Sequence, residues 1–310
     1  MIRFDKLKII SPIEHVSNIN EERFKVTLNN GELECLSYTQ DEQFALYIEI
    51  DYHEQELVLE FTGKILGIDY PKLISIDTIR TCLSNINNLG LCTLDIKAII
   101  RDGYVVKCDV TKDVYDIDDF KVLRERIIAH INNYKKYVIN CKGTSNLVIE
   151  KDVKSKAYKC RLTIYDKEKE MHKAKNGRWM MGNPLLSAFK GCIRFELNLN
   201  SMQQIRKRLQ VTDTQLTTVL STPVNPIMDF LCEVLKDEAS IPPTDGRRVM
   251  KYLRTLLLQR ENYDLNAVEK IIRALTPNVR KAMEPFRQLA EEHNTHPQEP
   301  LLQYLRRLLA

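Results

Sequence analysis

Short runs in which apolar and polar residues alternate open the chain, and that period of two marks half-buried strands. The first 70 residues read as strands. Residues 23–28 and 32–39 alternate on either side of Asn29-Asn30-Gly31, a strong hairpin turn. Residues 44–50 and 57–61 form a second predicted hairpin across 51–56. The period then lengthens: apolar residues at 73, 76, 79, 83, 86 and 89 predict a helix over 72–89 that stops at Gly90. A strand pair follows, with Asp102-Gly103 as its turn and 104–110 as its second arm, and then an amphipathic helix over 118–134. Strands at 137–141, 146–150, 158–165 and 191–198 complete this part.

Beyond residue 201 helical spacing takes over, in 227–235, 249–258, 265–275 and 301–309, with breaks at 242–246, Pro277 and Pro297. The expected fold class is therefore α+β: a mainly antiparallel sheet with helices packed on one face, followed by a helical C-terminal region. The expected division is a catalytic α+β domain over 1–200 and a helical region over 201–310. No repeat of solenoid period is present.

Composition narrows the class. The chain has 310 residues, 44% hydrophobic and 28% charged, enough to bury a core. Only 10 Gly and 11 Pro occur, which excludes collagen-like architecture. A net charge of +4 allows nucleic acid as a partner without demanding it. Eight cysteines form no CxxC pair and no zinc-spaced cluster with histidine, so a reducing, cytoplasmic setting is expected. The opening residues are too charged for a signal peptide, and no apolar run is long enough for a bilayer, so no membrane contact is expected.

Strand parity brings the chemistry into view. Residues two apart share a face, so Glu60 opposes the apolar set Leu57, Leu59 and Phe61. Lys107, Asp109 and Thr111 oppose Val106, Cys108 and Val110; Arg161, Thr163, Tyr165 and Lys167 oppose Cys160, Leu162 and Ile164; Arg194, Glu196 and Asn198 oppose Ile193, Phe195 and Leu197. If the four strands share one sheet, three carboxylates, a phenol and several cations share one face. Oxygen ligands of that kind suit Mg²⁺ or Mn²⁺, and a tyrosine hydroxyl can serve as a nucleophile on phosphorus. The same alternation arises in any sheet with one wet face decorated by ion pairs.

At these strands the chain resembles the gene II/X replication initiators of filamentous phages, which are related to plasmid rolling-circle initiators. The stretches that carry the likeness are LVLEFTGKIL at 57–66, VKCDVTKD at 106–113, RLTIYDKEKE at 161–170 and IRFELN at 193–198, within roughly residues 45 to 210. The resemblance implies that Tyr165 is the DNA-nicking nucleophile, aided by Lys167. It implies that Glu60, Asp109 and Glu196 hold the metal, Mg²⁺ or Mn²⁺, and that Arg194 stands beside them. Two departures matter. The six histidines form no His-hydrophobe-His pair, and Lys107 stands where the family has Arg. No second nucleophilic tyrosine is evident, since Tyr158 lies on the opposite face by parity.

The stretch 151–178 is basic and contains tyrosines, a pattern that follows a single-stranded backbone and stacks bases, or else decorates a solvated hairpin tip. Its expected DNA contacts are Lys154, Lys156, Lys159, Arg161, Lys173, Lys175 and Arg178, joined by Arg194. The expected function is a plasmid or phage rolling-circle initiator that nicks one strand through a 5′-phosphotyrosine and leaves a 3′-hydroxyl primer. The alternatives are a non-enzymatic origin-binding protein and a metal-dependent nuclease that uses water. Expected partners are origin DNA, single-stranded DNA and a second copy of the chain in a homodimer; the resemblance adds a host helicase and a single-strand-binding protein. The C-terminal helices are assigned to origin binding, dimerisation or a partner protein.

Overall fold

The computed structural model describes residues 2–40, 44–115, 117, 119–131, 136–141, 145–155, 159–173, 185–235, 249–261, 263–295 and 300–310. Twelve strands are seen among them: β1 (Arg3–Pro12), β2 (Val16–Ser17), β3 (Lys25–Asn29), β4 (Glu32–Gln40), β5 (Leu46–Asp51), β6 (Glu56–Thr62), β7 (Thr93–Leu94), β8 (Tyr104–Val114), β9 (Tyr137–Asn140), β10 (Asn146–Lys151), β11 (Arg161–Asp166) and β12 (Ile193–Leu199). Ten of them form one antiparallel sheet in the order β3-β4-β5-β6-β1-β8-β12-β11-β10-β9, and β2 pairs with β7 apart from it. The fold is α+β, with a helical C-terminal region.

Alternation places the core as expected. One row runs Leu7, Cys108, Leu199 across β1, β8 and β12; the next runs Phe4, Val110, Leu197, Leu162, Ile149 from β1 to β10. Every residue of both rows is fully buried. The sheet's central pairing is β1 with β8, and the sequence of β1 breaks strict alternation: two polar residues, Asp5 and Lys6, separate Phe4 from Leu7. A bulge between Phe4 and Lys6 absorbs the extra residue, so both apolar side chains reach the core while Asp5 and Lys6 both face away. A second shift, between Lys8 and Ile9, moves Val105 into the core and leaves Val106 half-buried. Parity without that bulge puts Val106 inside.

Two predicted elements differ. Residues 96–102 are a helix, Ile96–Asp102, capped by the Asp95 carboxylate on the Ala98 amide, rather than the first arm of a hairpin. The helix predicted from residue 72 starts at Ile79, because Ile74 is taken up by a two-way backbone pairing with Phe4. Ahead of it lies a 3₁₀ segment, Gly63–Lys72.

By packing, the chain forms two units, 1–125 with 133–233 and 309, and 126–132 with 234–308 and 310. Helices Met202–Leu209 and Leu216–Leu220 and all but the last residue of Pro226–Val234 fall in the first unit. The second unit packs Val249–Arg260, Leu265–Leu275 and Val279–Thr295 around Leu258, Val268, Ile272, Met283 and Phe286. None of the eight cysteines is joined in a disulfide. Among the described residues no helix is long and apolar enough to cross a membrane.

Candidate active site

The non-core face of β12 carries Arg194, Glu196 and Asn198, as alternation requires, but that face is not wet at this end. The 3₁₀ segment Gly63–Lys72 and two short helices, Lys167–Met171 and Leu185–Ala188, meet over it through Tyr70, Leu73, Met171, Leu185, Phe189 and Cys192. Beneath this cover Arg194 has no solvent exposure at all. A guanidinium with no water must find its acceptors in the protein. Asp113 takes Nε and Nη2 in a bidentate pair at 2.6 and 2.8 Å. Asp5 takes Nη1 at 2.7 Å, and the Tyr70 hydroxyl lies 3.0 Å from the same nitrogen while donating to Asp5 at 2.8 Å. The Glu196 carboxylate stands 3.8 Å from Nη1.

Tyr165 lies directly across from Arg194 in the β11–β12 register, and its hydroxyl donates to Glu196 Oε1 at 2.6 Å. Tyr165 and Glu196 line a cleft of about 330 Å³ whose wall includes Asp5, Asp166 and Glu170 with Lys64, Lys167 and the exposed Lys173. The phenol therefore opens onto a cleft and is not sealed in the core. Burial, and then the Glu196 charge beside it, hold the Tyr165 proton well above its ordinary range. Burial, and then Asp5, push Glu196 up to about 7 against the pull of Arg194 and Lys167. A carboxylate within hydrogen-bond reach of a phenol is placed to take its proton.

Lys167 is not on the strand. β11 ends at Asp166, whose carboxylate caps the following helix through the Lys169 amide, and Lys167 opens that helix at 2% exposure. Its ammonium sits over the rings of Tyr70, Tyr165 and Phe189 at 5.2, 5.6 and 5.8 Å and pairs with Glu170 at 3.1 Å. Burial works against its charge, but the Tyr70 phenol, Asp5 and Glu170 outweigh it and hold the ammonium above the ordinary lysine range. Lys167 therefore braces the Tyr165 ring as well as facing the cleft.

The three acids expected to hold a metal do not converge. Glu60 on β6 is held by Lys6, with Lys107 at 3.9 Å, and the whole of β1 lies between β6 and β8. Burial raises Glu60, but the Lys6 hydrogen bond and the charges of Lys6, Lys107 and Lys8 bring it below the usual carboxylate range. Asp109 accepts from Asn198 and Glu196 from Tyr165. Among the described residues no group of three His, Cys, Asp or Glu side chains is placed to hold a metal ion. The trio does not fit Mg²⁺ or Mn²⁺ as a shared ligand set.

The expected DNA contacts divide. Arg194 is a buried hub with no solvent exposure, which does not suit the DNA contact expected of it. Lys154, Arg161 and Lys173 are exposed, while Lys159 pairs with Glu150 at 2.5 Å. Lys156, Lys175 and Arg178 lie outside the described residues, as does Tyr158. Sequence reasoning missed Asp5, Asp113, Tyr70 and Lys64. Asp113 was one step away: extending the parity of Asp109 and Thr111 along β8 reaches it. The doubled polar pair Asp5-Lys6 was the signal for Asp5.

No protein-family model and no curated protein matches the chain. Among solved structures, a rolling circle replication initiator protein from Geobacillus stearothermophilus is similar at 10% identity and a TM-score of 0.34, over 75% of this chain and 96% of that one. At that distance the likeness assigns this chain neither a function nor a mechanism.

Proposed function

We propose that this protein is a rolling-circle replication initiator that nicks one DNA strand with Tyr165 as nucleophile and Glu196 as general base. The observation that carries the reading is the Tyr165–Glu196 hydrogen bond at the wall of a lysine-bearing cleft. Two of the four stretches that resemble phage initiators, 161–170 and 193–198, include β11 and β12, the strands that carry Tyr165 and Glu196. A scissile phosphate in the cleft meets Lys64 and Lys173, whose charges offset its own. Glu196 takes the phenolic proton as the Tyr165 oxygen attacks phosphorus. The new bond is Tyr165 O–P, the bond that breaks is P–O3′, and the departing 3′ oxygen takes a proton from water. The products are a 5′-phosphotyrosine and a free 3′-hydroxyl that primes synthesis.

No step is routed through a divalent ion, since the three acids named for it stand apart. Origin DNA and its exposed single strand are the substrates of this reading. A helicase, a single-strand-binding protein and a second subunit belong to the wider cycle it implies.

The test is incubation of wild type and Tyr165→Phe with the supercoiled replicon that encodes the chain, with and without Mn²⁺, followed by a denaturing gel. Wild type is expected to form a denaturant-resistant protein–DNA adduct; the variant is expected to lose nicking by at least ~10³-fold while still binding DNA. Equal nicking by the two proteins, or nicking without an adduct, overturns the proposal.

A further inference from the structure

We infer that Asp5 is a positioning residue of this site: its carboxylate holds the Arg194 guanidinium on itself and off Glu196, which leaves Glu196 Oε1 free for the Tyr165 proton. The inference rests on the roles given above to Tyr165 and Glu196. Its basis is a contest for one nitrogen and one oxygen. Asp113 occupies Nε and Nη2 of Arg194, so Nη1 alone faces the remaining carboxylates. Nη1 lies 2.7 Å from Asp5 and 3.8 Å from Glu196 Oε1. That same Oε1 accepts the Tyr165 hydroxyl at 2.6 Å. About one ångström of movement would put a buried guanidinium on the oxygen that must accept the proton.

Asp5 is built to prevent that movement. The β1 bulge turns its side chain to the Arg194 side, its amide donates to Thr111 Oγ1 at 3.2 Å, and the Tyr70 hydroxyl fixes Oδ1 at 2.8 Å. Arg194, with no solvent exposure, has no water to turn to when Asp5 loses its charge. The next carboxylate within reach of Nη1 is then Glu196, 3.8 Å away, and a charge-assisted hydrogen bond there would weaken the base and displace the phenol.

The test uses the full chain with 3-fluorotyrosine at position 165, in wild type, Asp5→Asn and Tyr70→Phe. Tyr70→Phe disturbs the same network but keeps the Asp5 charge. Without DNA, the ¹⁹F resonance of position 165 is expected to move in Asp5→Asn and to move less in Tyr70→Phe, which loses one hold on Oδ1 but keeps its charge. With a cleavable single-stranded oligonucleotide, unlabelled Asp5→Asn is expected to lose about tenfold in kcat with KM within about twofold, and Asp5→Glu to recover most of the rate. An unmoved resonance and unchanged kcat in Asp5→Asn overturn the inference, as does an equal response in Tyr70→Phe. If Asp5→Asn does not fold, Asp5→Ser, which leaves room for water on the freed groups, is read in the same way. Failure of wild type to nick overturns the proposed function instead, and the ¹⁹F comparison still decides the role of Asp5.

Discussion

The non-core face of the sheet carries two groups of charges that began from the same strand alternation and ended differently. Toward β6, Glu60, Lys6 and Lys107 form partly exposed ion pairs that water can screen. Toward β11 and β12, Arg194, Asp113, Asp5, Glu196 and Lys167 lie under the cover built from Gly63–Lys72, Lys167–Met171 and Leu185–Ala188. Cover turns ordinary cross-strand pairs into a network whose every member must be satisfied, and pushes Glu196 up to about 7. A face of alternating charge becomes chemical where helices shut water out of it.

Three measurements bear on that contrast. The largest effect is expected from Arg194→Ala, which strands Asp113 and Asp5 beneath the cover; urea unfolding should reveal a loss of about 3–5 kcal/mol. A loss under about 1 kcal/mol would mean that the covered network is no different from the exposed one. Next is the pH dependence of nicking. Glu196 accepts a proton only when ionised, so the rate should fall about tenfold per unit once pH drops below about 7 and level off above it. A rate flat down to pH 5 would remove Glu196 from the proton transfer. The smallest effect is expected at the open end: Glu60→Gln should cost about 0–1 kcal/mol and leave the nicking pH limb in place. A large loss of nicking in Glu60→Gln would instead tie that distant acid to the site.

Much of this was readable from residue order. The Asn29-Asn30-Gly31 hairpin and the pairing of 44–50 with 57–61 appear as β3–β4 and β5–β6. Parity correctly set Arg194, Glu196 and Asn198 against Phe195 and Leu197, and put Tyr165 on the face of Arg194 and Glu196. Parity failed where the strands are irregular. The bulges in β1 and β8 shifted Asp5 and Val106 out of the simple count, and Ile96–Asp102 proved too short an apolar run to separate helix from strand. Strand order was also beyond reach. Glu60 and Asp109 look alike in sequence, yet β1 lies between their strands.

The order of residues alone determined which side chains face inward and which face outward, because backbone geometry ties alternation to the two sides of a strand. It therefore nominated Tyr165, Glu196 and Arg194 together. Only the tertiary structure decided what each does, because a charged group's role depends on the water and partners around it. Arg194 lost all its water and became the network's anchor, while Glu60 kept solvent and a lysine. Tyr165 kept a cleft before it and a carboxylate at its hydroxyl.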